Sequence, residues 1–124
     1  MIDTRNKIVS ADAIEADGEA TVVAFGRFDV IRAEHCRILR DARRDAGRLI
    51  AAVLADVAGQ SSLFDQQSRA QLTAALADVA LVVICAPAEV EQLAARAGAA
   101  TVDVDAMLKR DLVADVLQRQ SAKA

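Results

Sequence analysis

Hydrophobic and polar residues follow two different periods along the chain. Four short runs are mostly apolar and rich in Val, Ile, Leu and Ala, which is typical of strands buried on both faces of a sheet. Between them, apolar residues recur every three or four positions, which predicts amphipathic helices. The predicted strands are 20–25, 48–55, 79–85 and 100–104. The predicted helices are 10–17, 34–46, 66–77, 87–97 and 106–119.

The order of these elements predicts an α/β fold. Strands that alternate with helices form a parallel sheet, and right-handed connections place helices on both faces in a Rossmann-like, three-layer α/β/α arrangement. We expect four strands in the order 3-2-1-4, or five in the order 3-2-1-4-5, with strand 20–25 in the interior of the sheet. A length of 124 residues without a recognisable linker predicts a single domain over 1–124.

The helix ends carry further predictions. Asp65 and Asp105 precede helical patterns and are predicted N-caps, because a carboxylate there accepts hydrogen bonds from the free N–H groups of the first turn. In the helix that follows Asp65, apolar spacing predicts that Leu72, Ala75 and Leu76 face inward.

Composition narrows the kinds of function. A net charge of −3 and an aromatic content of 2% argue against nucleic-acid binding, which needs a basic surface and stacking platforms. No apolar run approaches the roughly 18 residues of a membrane span, and the N-terminus lacks a signal-peptide pattern. Cys36 and Cys85 have neither CxxC nor metal-ligand spacing, so no metal site is predicted. A reduced, cytoplasmic protein is therefore expected.

Positive charge is concentrated in one segment. Residues 27–48 contain seven arginines and four acidic residues, although the whole chain is acidic. A basic island in an acidic chain fits a small anionic ligand, and it fits equally a solvated helix face with alternating charges. Both interpretations stay open on composition alone.

The stretch GRFDVIRAEH follows the first strand, where doubly wound folds bind their ligands. Gly26 permits close approach of a ligand to the backbone, and the N–H groups at the next helix start attract anions. Arg27 and Arg32 are candidates for bidentate phosphate contacts. His35 begins the inward helix face and is expected to be neutral beside the positive helix end. An ordinary connection with His35 bonded to backbone fits the same pattern.

The segment VVAFGRFDVIRAEHCRILRDA resembles the opening of the cytidylyltransferase-like nucleotidyltransferases, a family that includes glycerol-3-phosphate cytidylyltransferase and the heptose-phosphate adenylyltransferase domain. The family pattern is an apolar strand, then G-x-F-D-x-x-H-x-G-H, then an amphipathic helix. Gly26, Phe28, Asp29 and His35 match this pattern at the same spacing. The resemblance covers roughly residues 7–97 and implies the fold predicted above.

The resemblance also implies roles for individual residues. His35 and Arg32 are the candidate catalytic residues. The candidate nucleotide- or phosphate-binding residues are Gly26, Arg27, Phe28, Asp29 and Arg69, the last of which falls on the arginine of the family's R-x-x-x-L segment. We expect Phe28 to be buried beneath the turn and Asp29 to accept hydrogen bonds that fix the loop, since a buried carboxylate needs such partners.

The departures from the family pattern fall on its chemistry. In the family, two histidines stabilise the nucleotide phosphates while a phosphate oxygen of the second substrate attacks the α-phosphorus. Arg32 stands at the first histidine and Glu34 at the glycine between them. The loop after the second strand has no lysine, Ala80 replaces an aspartate, and 109–113 is the nearest counterpart of the late S-T signature.

Three hypotheses follow. The first is a nucleotidyltransferase-like domain with a degenerate motif, weakly active or inactive, that retains nucleotide or phosphate binding. The second is an active enzyme that transfers CMP or AMP from CTP or ATP to a sugar or polyol phosphate, releases pyrophosphate and uses Mg²⁺ to bridge phosphates. The third is an interaction module on an unrelated Rossmann-like fold. Because relatives are commonly dimers, a homodimer is also expected.

Overall fold

The computed structural model describes residues 3–56 and 62–108. Within them, four parallel strands and four α-helices alternate along the chain. The strands are β1 (Thr21–Gly26), β2 (Arg48–Leu54), β3 (Leu81–Cys85) and β4 (Ala100–Asp103). The helices are α1 (Ala33–Arg44), α2 (Gln66–Ala74), α3 (Val90–Ala97) and α4 (Val104–Met107). Short 3₁₀ helices lie at Thr4–Lys7, Ala11–Ala13 and Pro87–Glu89.

The sheet has the order β3-β2-β1-β4, which confirms the predicted order 3-2-1-4. β1 pairs in parallel with β2 on one side and β4 on the other, so it lies in the interior of the sheet as expected. The chain winds from β1 through β2 to β3 on one side and then crosses back to β4 on the other side of β1. The strand order therefore reverses between β1 and β4, and in such folds ligands bind at the carboxyl ends of the strands at this point.

Alternate residues of β1, β2 and β3 face two separate hydrophobic clusters. Val22 and Ala24 of β1 belong to the cluster that includes Leu39 of α1, while Val23 belongs to the one that includes Leu93 of α3. All five are buried. The sheet is therefore the middle layer of a three-layer α/β/α arrangement, as the alternation of elements predicted.

The orientation of α2 differs from the prediction. Leu72 is 46% exposed and Ala75 is also exposed, whereas Leu76 is partly buried. The residues that α2 buries are Arg69, Ala70, Thr73 and Ala74. Two alanines bring the helix close to the sheet, and the buried arginine is satisfied by hydrogen bonds, which apolar spacing alone does not anticipate.

The last predicted helix also differs from the structure. α4 begins at Val104 and is capped by Asp103, whose side chain accepts a hydrogen bond from the backbone N–H of Ala106, so Asp105 is not the cap. Leu108 is extended and interrupts the predicted helix 106–119, while 109–119 lies outside the described residues. At the other end of the chain, the predicted helix 10–17 is only a single 3₁₀ turn.

Candidate functional site

The connection from β1 to α1 leaves the carboxyl end of the sheet through a strained residue. Phe28 has a φ of 52°, in the left-handed region, and its side chain is 1% exposed. That conformation costs an L-residue roughly 1–2 kcal/mol, so the burial of the ring must offset it. The predicted burial of Phe28 beneath the turn is confirmed, and the ring holds the loop against the core.

Asp29 fixes this loop to the one that precedes α2. Its two carboxylate oxygens accept hydrogen bonds from the backbone N–H groups of Leu63 and Phe64, at 2.7 and 2.9 Å. Asp29 therefore accepts backbone hydrogen bonds as expected, and the two loops that border the carboxyl end of β1 are joined through one side chain.

Arg69 links the same two loops from the interior of the protein. Its guanidinium is fully buried and donates to the carbonyl oxygens of Phe64 at 3.1 Å, Arg27 at 2.8 Å and Leu54 at 2.9 Å. These contacts make Arg69 a support of the site's walls. Direct contact with a phosphate, which the family resemblance implied, requires this guanidinium to be uncovered and stays a prediction.

A polar network extends from Arg69 toward solvent. Asp56, just beyond β2, lies 3.4 Å from the Arg69 guanidinium and 3.3 Å from that of Arg27. The Ser62 hydroxyl donates to the same carboxylate oxygen at 2.6 Å. Ser62 chiefly, with help from both arginines, lowers the pKa of Asp56. Asp56 thus stays ionised and holds Arg27 beside the turn.

His35 is buried at the start of α1. Its Nδ1 accepts a hydrogen bond from the backbone N–H of Arg32 at 3.1 Å, and its ring centroid lies 6.0 Å from that of Phe28. Because Nδ1 is the acceptor, the proton of the neutral ring is on Nε2. Burial first, and then the positive charge of Arg32, lower the pKa of His35. The hydrogen bond and the lowered pKa both support the neutral imidazole predicted at this edge of the sheet.

Two carboxylates lie near this imidazole. The negative charges of Asp105 and Glu34 both act to raise the His35 pKa, although less strongly than burial and Arg32 lower it. Glu34 is in the first turn of α1, where an acidic side chain complements the helix dipole. The site is therefore electrically mixed and does not form a purely positive phosphate cradle.

The side chain of Asp105 lies beside Gly26, the last residue of β1. Its Oδ2 accepts a hydrogen bond from the backbone N–H of Arg27 at 3.1 Å. A Cβ added to Gly26 would meet Asp105 Oδ1 at 3.0 Å and the Cβ of Val104 at 3.4 Å. The space that the missing side chain leaves over Gly26 is thus filled by a carboxylate of the β4–α4 turn.

The structure brings the sequence-predicted site residues to one place, the carboxyl end of β1, and adds Asp105 to them. The sequence pattern predicts Asp105 only as a helix cap. The signal that points to the site is its position just after β4, since β4 neighbours β1 and the carboxyl ends of parallel strands share one edge. In residues 3–56 and 62–108, no group of three or more His, Cys, Asp or Glu side chains is placed to hold a metal ion.

Comparison with known proteins agrees with this architecture. A family model described as cytidylyltransferase-like matches residues 23–122. Among solved structures, the lipopolysaccharide core biosynthesis protein from Thermoplasma volcanium GSS1 is similar, with a TM-score of 0.59, 23% identity, and coverage of 64% of this chain and 69% of that chain. At that identity the likeness supports the fold alone. A comparison with curated protein sequences finds no significant match.

The chain therefore belongs to the cytidylyltransferase-like family, because the family match spans most of its length. This membership confirms the resemblance seen in the first strand–helix unit and argues against the third hypothesis, an unrelated Rossmann-like fold. Within the part of the chain that the structure describes, no helix is long and apolar enough to cross a bilayer.

Proposed function

We propose that this member of the cytidylyltransferase-like family retains a nucleotide or phosphate site at the carboxyl end of β1 but transfers nucleotides weakly or not at all. The observation that carries this proposal is the state of His35, the chain's single histidine. It is 3% exposed, and its Nδ1 is occupied by the backbone N–H of Arg32. A single neutral imidazole N–H is left where the family pattern provides two histidines.

The chemistry of the reaction explains why this matters. Transfer of a nucleotidyl group depends on positioning and on charge stabilisation at the phosphates, with donors aimed where negative charge develops. His35 has one ring proton, on Nε2, to contribute. Glu34, the preceding residue in the first turn of α1, adds a negative charge to the same region. The site thus has one histidine donor fewer than the family pattern, and Glu34 opposes negative phosphate charge in the ground state and in the transition state.

Retained binding of a phosphate is supported by the rest of the site. Arg27 follows the glycine at the end of β1 and is held there by Asp56 and Ser62. The N-terminus of the twelve-residue α1 adds its dipole. Mg²⁺, if the protein is active, would bridge nucleotide phosphates, and the site residues of this chain would bind and orient the nucleotide around it.

The alternative is an active enzyme with altered residues, and one observation favours it. The positive charge of Arg32 is close enough to act on His35 and lower its pKa. A guanidinium beside the imidazole can stabilise phosphate charge in place of the family's first histidine. CMP or AMP would then pass from CTP or ATP to a sugar or polyol phosphate, with release of pyrophosphate.

Pyrophosphate release tests the two functions. The chain is incubated with Mg²⁺, each common nucleoside triphosphate and a panel of sugar and polyol phosphates, beside an Arg32→Gln variant. The proposal predicts background release from both proteins. Sustained release by the parent that Arg32→Gln abolishes would overturn the proposal and support the active enzyme.

The homodimer that the family resemblance implies is a separate proposal. Sedimentation velocity at several protein concentrations tests it. A single species at the monomer mass throughout would contradict it.

A further inference from the structure

The carboxylate of Asp105 lies over Gly26 and accepts the N–H of Arg27 at the end of β1, where the proposed function puts an anionic ligand. We propose that its carboxylate is a gate, which excludes phosphate-bearing ligands until it is displaced and so sets the affinity of the site. This inference rests on the proposed function, since it concerns the same site. The ligands it controls are nucleotides and inorganic pyrophosphate.

The turn that carries the gate is held in place by its neighbours. Val104 is fully buried in the core cluster that also contains Phe28. Asp103 caps α4 through the backbone N–H of Ala106 at 3.1 Å. With Asp103 as the cap, the carboxylate of Asp105 is not needed by its own helix and is directed over β1.

The gate competes with an anion for both space and a donor. Oδ1 lies 3.0 Å from where a Cβ on Gly26 would stand, so it occupies the backbone approach that a glycine provides there. Oδ2 accepts the N–H of Arg27 at 3.1 Å, the first backbone donor beyond β1. A phosphate oxygen that used this donor would meet a negative charge at contact distance, which is unfavourable for binding.

A pair of matched variants separates the gate from a general charge effect. Asp105→Asn keeps a carbonyl oxygen for the Arg27 N–H and removes the charge over Gly26. Asp103→Asn removes one negative charge from the same turn and keeps a good N-cap residue. Both variants therefore change net charge equally, and only one changes the gate.

Calorimetry with CTP, ATP and inorganic pyrophosphate, each in Mg²⁺ and in EDTA, gives the affinities. The gate predicts that Asp105→Asn tightens binding of these ligands by about tenfold or more, whereas Asp103→Asn changes it less than about threefold. Equal tightening by both variants would overturn the gate as a nonspecific charge effect. Weaker Mg²⁺-nucleotide binding by Asp105→Asn would also overturn it, since the carboxylate would then assist binding.

Failure of the proposed function gives a different result. If the parent and Asp105→Asn both bind neither nucleotide, the proposed nucleotide site is wrong, and pyrophosphate decides the gate alone. Tighter pyrophosphate binding by Asp105→Asn would support the gate, which would then limit anion binding at a site that does not bind nucleotides. No binding of pyrophosphate by Asp105→Asn would overturn it.

Discussion

Phe28 combines a buried aromatic ring with a backbone conformation that favours glycine, so two substitutions at this position separate the two contributions. The ring is 1% exposed and lies in the same core cluster as Leu39 and Val53. Phe28→Ala should lower the free energy of unfolding by about 3–5 kcal/mol, the usual cost of removing a buried phenylalanine. That is a large fraction of the roughly 5–15 kcal/mol of a typical domain.

Phe28→Gly removes the same ring as Phe28→Ala, but the two variants differ in the free-energy cost of the backbone conformation at residue 28. Alanine at a φ of 52° keeps the left-handed conformation, which costs an L-residue about 1–2 kcal/mol. Glycine is free of that cost but makes the unfolded chain more flexible, which costs about 0.4–1 kcal/mol. We therefore expect Phe28→Gly to be as stable as Phe28→Ala or more stable, by up to about 1.6 kcal/mol.

Phe25 of β1 provides the matched control, because its φ is not positive and its backbone pairs with both neighbouring strands. There the ordinary order should hold, with the glycine variant less stable than the alanine variant. Urea unfolding followed by circular dichroism gives the four free energies by linear extrapolation. A Phe28→Gly variant less stable than Phe28→Ala by more than about 0.5 kcal/mol would refute the left-handed assignment. A loss below about 1 kcal/mol in Phe28→Ala would refute burial of the ring.

Further predictions concern buried polar groups and thiols. Arg69→Met should cost about 3 kcal/mol or more in urea unfolding, because it leaves three carbonyl oxygens without their donor, whereas Arg40→Met on the exposed face of α1 should cost little. The single histidine resonance should titrate below the ordinary value of about 6.5, since burial lowers the His35 pKa. Stability should then fall as pH decreases from about 6.5 through the folded-state pKa, because the unfolded chain binds the proton first, and His35→Asn should remove that slope. Cys36, half-buried, should react with a thiol reagent at pH 8 before buried Cys85, whose pKa burial raises to about 11; equal rates would contradict this order.

The fold was predictable from the sequence because its signals are local and repeated. The apolar runs of β1, β2 and β3 are each followed by a helical pattern, and this alternation allows few topologies. The predicted buried face of α2 was wrong because contacts between residues distant in sequence outweighed the local apolar spacing. Arg69 is buried because three backbone carbonyls converge on it, so α2 turns away from the face that Leu72 suggested.

The site was only partly predictable for the same reason. Gly26, Phe28 and His35 lie within one short stretch, in which the start of the helix pattern predicted a neutral imidazole and the family resemblance accompanied the prediction of a buried Phe28. Asp105 is 78 residues from its hydrogen-bond partner Arg27, so no local pattern pairs them. The sequence also does not show which aspartate caps α4, because Asp103 and Asp105 both lie just before the helical spacing.

The central claim is that Arg32 and Glu34, where the family has histidine and glycine, weaken nucleotide handling at a site whose scaffold is intact. Calorimetric titration of CTP and ATP with Mg²⁺ into the parent chain and into the Arg32→His/Glu34→Gly variant tests it most directly. Glycine in the first turn of α1 costs about 1 kcal/mol of helix stability, which is small beside the roughly 5–15 kcal/mol of a typical domain. The account predicts weak binding by the parent and clearly tighter binding by the variant, because a like charge is removed and the backbone approach reopened. Micromolar binding by the parent, with no gain in the variant, would contradict it.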